Sequence, residues 1–564
     1  MTEPQTHETP LNPSDPYARK DQTFPTFSDE QIERIKPFGT VDHLAKHHDL
    51  FVYGDRRCDF FVVLSGCIEI YEHQRGDTAI VTTHYPGEFT GEVDLFNDRK
   101  ILVSGRMGED GEVIRVKREQ FKRLLTAEPD IGETVMRAFI LRRIALISHK
   151  QGSVTLLVPG KTADAVRIER FLRRNGYPVE VLDCKQAECE ALLTKHALRE
   201  EDLPAVLIHL GNQVIKNPSN YTLAAHLGLD EPMEEGQVFD VAIVGGGPAG
   251  LSAAVYAASE GLSTVLLEQE APGGQASTSS KIENYLGFPT GISGQALAGR
   301  AQIQAMKFGA KILLPYTVKY MDCRHQPFAL NLCSGSQVQA KSIVVTSGAR
   351  YRTLALDNAR DFDNVGVYYA ATPMEGEICK NEEIIVVGGG NSAGQAAVFL
   401  SGHAAHVHMF VRRDGLAETM SDYLVSRIHA SDRITLYTHT EITRLEGSKH
   451  LEYVTWQNRK SGESTTKPIA HVFLMIGAIP HTDWLKDCIA LDDKGFIRTG
   501  VDIADHQAWP LDHRKPMMLE SSQPGVFAAG DVRSGSVKRV ASGVGEGSMT
   551  VSHVHRFLAE LPGA

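Results

Sequence analysis

Two passages of this chain repeat one pattern: an apolar run, a glycine-rich turn, then a stretch of helix formers. The first is Val241-Ala-Ile-Val-Gly245-Gly-Gly247-Pro-Ala-Gly250, and the second is Ile384-Ile-Val-Val-Gly388-Gly-Gly390-Asn391-Ser392-Ala393. A further apolar run follows each, Thr264-Val-Leu-Leu267 and Val407-His-Met-Phe-Val411. Strand, tight turn, helix and second strand in that order begin a parallel α/β sheet. The repeat predicts two such units.

The residue types fit dinucleotide binding. Gly245 and Gly388 permit the turn after the strand. Gly247 and Gly390 let backbone approach a pyrophosphate, at a helix start where unpaired N–H groups and the dipole favour anions. Asn391 and Ser392 open the second helix. Gly250 and Ala393 permit close helix–strand packing. The two second strands end differently. Glu268 ends the first, where a carboxylate accepts hydrogen bonds from ribose hydroxyls. Arg412-Arg413 ends the second, and two guanidinium groups suit a ribose phosphate, which favours NADPH over NADH. Asp414 adjoins that pair. Two dinucleotide sites in one chain predict FAD in the first and NADPH in the second.

Composition narrows the rest. The chain has 564 residues, enough for about four domains. It carries 58 basic and 70 acidic residues, a net charge of −12, which disfavours a general DNA-binding or anionic-membrane role. No apolar run approaches the roughly 20 residues of a membrane span. The N-terminus is polar and Pro-rich, so residues 1–26 are expected to be a disordered lead-in and the protein cytoplasmic. The eight cysteines are too sparse for a disulfide scaffold, and none has C-x-x-C spacing. No metal site is expected.

Ahead of the repeat lie two smaller blocks. Residues 27–150 hold short β-rich runs separated by glycine turns, then helical spacing from Phe121 to Leu146. Residues 152–229 alternate strand (Val154–Val158), helix (Thr162–Arg174), strand (Val179–Leu182), helix (Ala187–Lys195) and strand (Ala205–His209). An acidic linker at 230–237 follows.

The C-terminal part resembles a low-molecular-weight thioredoxin reductase. The resemblance rests on both glycine turns and on Pro272-Gly-Gly-Gln275, Ile282-Glu-Asn284-Tyr, Thr346-Ser-Gly348-Ala and Gly525-Val-Phe-Ala-Ala-Gly530-Asp531. It implies an FAD domain at 238–353 and 475–564, interrupted by an NADPH domain at 354–474. It also implies that Gln275 and Asn284 contact the flavin nucleotide and that Asp531 holds the ribityl chain. Lys538, Arg539, Val540 and Ala541 fall where a basic segment and helix start meet the flavin ring. One departure is prominent. Where the family carries a C-A-T-C dithiol, this chain reads Ala370-Ala-Thr-Pro373, so Ala370 and Pro373 stand at the cysteine positions. Neither can exchange disulfides. Cys379 nearby is expected to be a packing cysteine.

The 27–150 block resembles a cyclic nucleotide-binding domain through Gly54-Asp55, Leu64-Ser-Gly66 and Pro86-Gly-Glu-Phe-Thr-Gly91-Glu92. The resemblance implies a ribose contact from Glu92 beside Gly91 and a phosphate-binding Arg, but Ile101 stands at the Arg position. Arg99 or Lys100 could substitute only with a shifted loop. The 152–229 block resembles a thioredoxin or glutaredoxin domain, with Asp202-Leu-Pro204 as its cis-proline segment and no cysteine at its first helix. Cys184 and Cys189 follow its second strand, where a disulfide and simple packing are both open.

The expected fold is therefore multidomain: a β-rich cyclic nucleotide-binding-like barrel, a small thioredoxin-like α/β domain, then two Rossmann-like α/β domains. The expected function is FAD-dependent oxidation of NADPH with electrons passed to an unidentified acceptor, a small molecule, redox protein or partner disulfide. Alternatives are a ferredoxin- or flavodoxin–NADP reductase-like enzyme, a sensor without turnover, and a disulfide reductase using other cysteines. The resemblances also imply a homodimer and leave open a cyclic nucleotide effector.

Overall fold

The structure is a computed structural model. It describes residues 16–561 apart from 75–76, 92, 97–99, 150–153, 161, 209–212, 231–235, 280–281, 283, 364, 370, 372, 417–419, 486–487, 505–508 and 538. The chain divides into two compact units. One is built on residues up to Pro159 and on Glu169–Pro232, the other on Gly160–Ile168 and residues from Met233 onward.

The first unit opens with seven short strands in two antiparallel sheets. Thr40–Leu44, Gly111–Val116 and Phe60–Ser65 form one. Asp49–Phe51, Ser104–Met107, Ile68–Gln74 and Asp77–His84 form the other. Their inward residues, among them Phe61, Val63, Ile68, Met107 and Val113, make one apolar core. Rings of Phe60, Phe89, Phe121 and Phe139 pack the following helices against it. The helical stretch expected from Phe121 to Leu146 is two helices, Arg118–Ala127 and Pro129–Ser148. Pro129 disfavours helical backbone at the residue before it, and Glu128 sits at φ −121°, ψ 80°. Within the expected lead-in, residues Pro16–Arg19 and Lys20–Thr23 form helical turns, and Arg142 Nε donates to the Thr23 carbonyl at 2.9 Å.

The α/β part of this unit has a four-stranded sheet. Val154–Val158 pairs in parallel with Val179–Asp183 and antiparallel with Ala205–Ile208, which also carries Gln213–Lys216. The Gln213–Lys216 strand and the helix Asn220–Leu227 complete a pattern that the sequence reading ended at the third strand. The Leu203–Pro204 bond is cis.

The second unit holds the repeat. In one sheet Lys311–Leu313, Thr264–Leu267, Val238–Val244 and Gln337–Val345 run in parallel, and Val526–Ala528 joins Gln337–Val345 in the same direction. A second sheet is parallel throughout, in the order Val367–Tyr368, Val472–Leu474, Glu383–Val387, His406–Phe410, Ile434–Tyr437. The strands of both sheets are largely buried and apolar; helices cover one face of the second sheet, and its other face packs against the antiparallel strands Thr440–Glu446 and Tyr453–Asn458. The antiparallel pair Ala349–Tyr351 and Ala478–Pro480 lies where the chain passes between the sheets. Cys323 and Cys488 are disulfide-bonded, a pairing that the sparse cysteine count did not suggest. Among the described residues no helix is long and apolar enough to cross a membrane, and no cluster of His, Cys, Asp or Glu could hold a metal.

Candidate functional site

The two glycine turns are built alike. Gly245 has φ +107° and Gly388 φ +145°, backbone that a side chain would strain. A Cβ on Gly245 would lie 2.4 Å from the Thr346 carbonyl oxygen, and one on Gly388 2.3 Å from that of Met475. Thr346 and Met475 each follow the neighbouring parallel strand, so each turn is wedged against the end of that strand. Gly247 and Gly390 are the N-caps of the helices Pro248–Ser259 and Asn391–Leu400, and neither helix start carries a side-chain cap. Space for 4 Å around a Cβ on Gly247 is empty. An uncapped helix start with an open glycine before it fits a pyrophosphate. Pro248 at the first helical position removes one N–H that would otherwise need a partner.

The helix–strand contact differs between copies. A Cβ on Gly250 would stand 1.9 Å from the Gly245 carbonyl oxygen, whereas Ala393 keeps its methyl in the buried core. Thr346 Oγ1 donates to that same Gly245 oxygen at 2.8 Å.

The strand ends differ more. Glu268 is buried, and its carboxylate accepts the Gly246 N–H at 2.7 Å and the Glu270 N–H at 2.9 Å. It thus fixes the turn. Arg412 and Arg413 are exposed beyond Val411. Asp414 pairs with His439 Nε2 at 2.9 Å. Asn391 Oδ1 accepts the Ser421 N–H at 2.8 Å, tying the second helix start to the start of Asp422–His429. Asn391 and Ser392 are exposed.

Around the first turn, Gly273 N–H donates to the Gly246 carbonyl at 2.6 Å, and Gln275 Nε2 donates to the Ala349 carbonyl at 2.5 Å. The Pro272–Gln275 loop therefore closes over the turn. Asn284 is exposed. Asp531 sits in the turn Gly530–Val532 after the strand Val526–Ala528. Arg539 caps the helix Val540–Leu558, with Val540 and Ala541 in its first turn and no side-chain cap. Lys538 lies outside the described residues.

Two positioning residues escaped the sequence reading. Glu546 accepts the Gly530 N–H at 2.7 Å and pairs with Arg533, locking the Asp531 turn onto the last helix. Glu520, fully buried, accepts the Met517 N–H and the Gly525 N–H, each at 3.0 Å, and pairs with Arg514. The only visible signal was an acid amid small residues, Gly543-Val-Gly-Glu546-Gly547.

At the dithiol positions, Pro373 is exposed and opens the helix Pro373–Ile378, and Ala370 lies outside the described residues. Cys379 is fully buried among Tyr368, Ala371 and Ile384, a packing residue.

In the barrel, Gly91 has φ +111° and is packed by Leu95 and Phe139. Glu92 and Arg99 lie outside the described residues. Ile101 is buried and lines an apolar cavity with Phe24, Ile70 and Val103. Thr82, His84 and Arg142 bring polar groups to its lining. Burial pushes His84 down to about 4, leaving it neutral. Arg142 donates to the Phe89 and Gly91 carbonyls at 3.0 and 3.1 Å. Lys100 does not reach the cavity as a substitute cation: its Nζ donates to the His226 carbonyl at 3.0 Å.

Known proteins match this layout. The model of the family described as pyridine nucleotide-disulphide oxidoreductase matches residues 239–547, and that of the cyclic nucleotide-binding domain residues 41–128. A thioredoxin reductase of Rickettsia felis is 34% identical over 322 residues, covering 56% of this chain and 97% of that protein. One of Rickettsia conorii is 33% identical with the same coverage. The crystal structure of Lactococcus lactis thioredoxin reductase aligns with a TM-score of 0.51 at 29% identity, over 57% of this chain and 100% of that one. The thioredoxin reductase of T. acidophilum gives 0.50 at 29%, over 57% and 99%.

Proposed function

From a chain that belongs to the pyridine nucleotide-disulphide oxidoreductase family, we propose an NADPH-dependent flavin oxidoreductase that passes electrons to its acceptor without a protein dithiol. FAD and NADPH are the cofactors of its thioredoxin reductase-like family. The observation that carries the reading is the pair of uncapped glycine turns with opposite charge at their strand ends. FAD, when bound, supplies hydride acceptance from the nicotinamide and onward electron transfer. The protein's part is to hold and orient.

Gly245, Gly247, Gly250 and the helix start at Pro248 hold the FAD pyrophosphate, and Glu268 takes the ribose hydroxyls. Gln275 and Asn284 border the flavin nucleotide, and Asp531, set by Glu546, takes the ribityl chain. Arg539 and the helix start at Val540–Ala541 place positive potential beside the ring. Gly388, Gly390, Asn391, Ser392 and Ala393 hold the NADPH pyrophosphate. Arg412 and Arg413 take its ribose phosphate, and the Asp414–His439 pair draws the neighbouring carboxylate aside.

Pro373 at a former cysteine position and Cys379 in the core support direct transfer from the flavin to the acceptor. The barrel supports a docking scaffold better than a cyclic nucleotide receptor, because Ile101 replaces the phosphate-binding guanidinium and Arg142 is engaged by carbonyls.

The test is NADPH oxidation with a quinone or ferricyanide, before and after alkylation of accessible thiols. Turnover that survives alkylation, and is unchanged by saturating cyclic AMP or GMP, supports the reading. Turnover only with a protein disulfide, abolished by alkylation, overturns it.

A further inference from the structure

The α/β part of the first unit carries a cysteine pair that the flavin chemistry does not use. Cys184 follows the strand Val179–Asp183, and Cys189 lies in the first turn of the helix Ala187–Lys195. Their sulfurs are 2.9 Å apart. A disulfide bond is about 2.05 Å, so closure asks for a movement of about 1 Å. The segment between them is fixed. Cys184 N–H donates to the Val158 carbonyl at 2.9 Å, Gln186 N–H to that of Asp183 at 2.9 Å, and Cys189 N–H to that of Gln186 at 3.0 Å.

The two thiols differ in access. Cys184 is half-buried, while Cys189 is fully buried among Leu157, Leu182 and Leu207. Burial, with the Cys184 sulfur beside it, pushes the Cys189 thiol up, so Cys189 stays protonated until Cys184 is held in a mixed disulfide. One accessible sulfur backed by one that can reach only its neighbour is the arrangement of an attacking and a resolving thiol. The other free cysteines are placed differently: Cys67 and Cys379 are buried, Cys58 is half-buried and Cys333 is exposed.

We propose that Cys184 and Cys189 form a thiol–disulfide redox couple served by low-molecular-weight disulfides and thiols. The Cys184 thiolate attacks one sulfur of a small disulfide, forming a mixed disulfide and releasing one thiolate. Cys189, giving up its proton, then attacks Cys184 Sγ. The protein disulfide forms and the second thiolate leaves. Two cysteines are oxidised, and one small disulfide is reduced to two thiols.

The experiment equilibrates the full-length protein with oxidised and reduced glutathione, quenches with N-ethylmaleimide and maps peptides by mass spectrometry. The expected result is that Cys184 and Cys189 lose alkylation together and appear as one linked pair lacking two hydrogens. In Cys189→Ser, glutathione should remain on Cys184, roughly ten-fold more than in the unsubstituted protein. Alkylation of both cysteines under excess oxidised glutathione, while Cys333 is glutathionylated, would overturn the proposal. So would glutathione persisting on Cys184 in the unsubstituted protein, a result that does not depend on any variant folding.

Discussion

The two glycine turns share a backbone and diverge in what surrounds it. Both place a positive-φ glycine against the carbonyl of a neighbouring strand end, and both leave the helix start uncapped. The first then buries a carboxylate held by the Gly246 N–H of its own turn and by the Glu270 N–H, while the second ends in exposed guanidinium groups. On the proposed reading, the backbone answers a requirement common to both cofactors, the pyrophosphate, and the strand end answers what distinguishes them, a bare ribose or a phosphorylated one.

The largest expected break comes from Gly250→Ala, whose methyl meets the Gly245 carbonyl oxygen at 1.9 Å. Shifting that turn costs about 1–3 kcal/mol. The variant should purify largely without flavin, read by absorbance. The reverse change in the second copy, Ala393→Gly, should cost at most about 1 kcal/mol and leave NADPH use intact.

Next in size is the double variant Arg412→Ala/Arg413→Ala. Losing charge-assisted hydrogen bonds of about 1.5–3 kcal/mol should cut the preference for NADPH over NADH roughly 10- to 100-fold, read as a ratio of kcat/KM values. Glu268→Gln replaces one of the two carboxylate oxygens that accept the Gly246 and Glu270 N–H groups with an NH2 donor. FAD affinity should fall roughly ten-fold, measured by equilibrium dialysis. The smallest effect belongs to Asp414→Ala. The carboxylate is 93% exposed, so losing its pair with His439 should alter NADPH affinity by less than about two-fold.

The same comparison shows how much the sequence made legible. The turns, their helices and both second strands follow from local periodicity and from glycine's freedom at positive φ, information that neighbouring residues carry. Glu268, Arg412 and Arg413 were visible because they end strands at a fixed distance from the turns. Glu546 and Glu520 were not. Each acts on a backbone N–H supplied by a loop whose approach depends on the fold. The Cys323–Cys488 bond joins residues 165 apart, beyond any local pattern. In the barrel, the fate of Lys100 depended on the His226 carbonyl of another segment. The division of the helix at Glu128 was legible in Pro129 and was missed because apolar spacing continues across it.

The most direct measurement is anaerobic mixing of the flavin-loaded protein with NADPH, and separately with NADH, while following flavin absorbance. The account predicts rapid bleaching with NADPH, half-saturating at a concentration at least roughly ten-fold below that of NADH. Equal or better bleaching by NADH would contradict the role given to Arg412 and Arg413. No bleaching with either would contradict the pairing of the two turns.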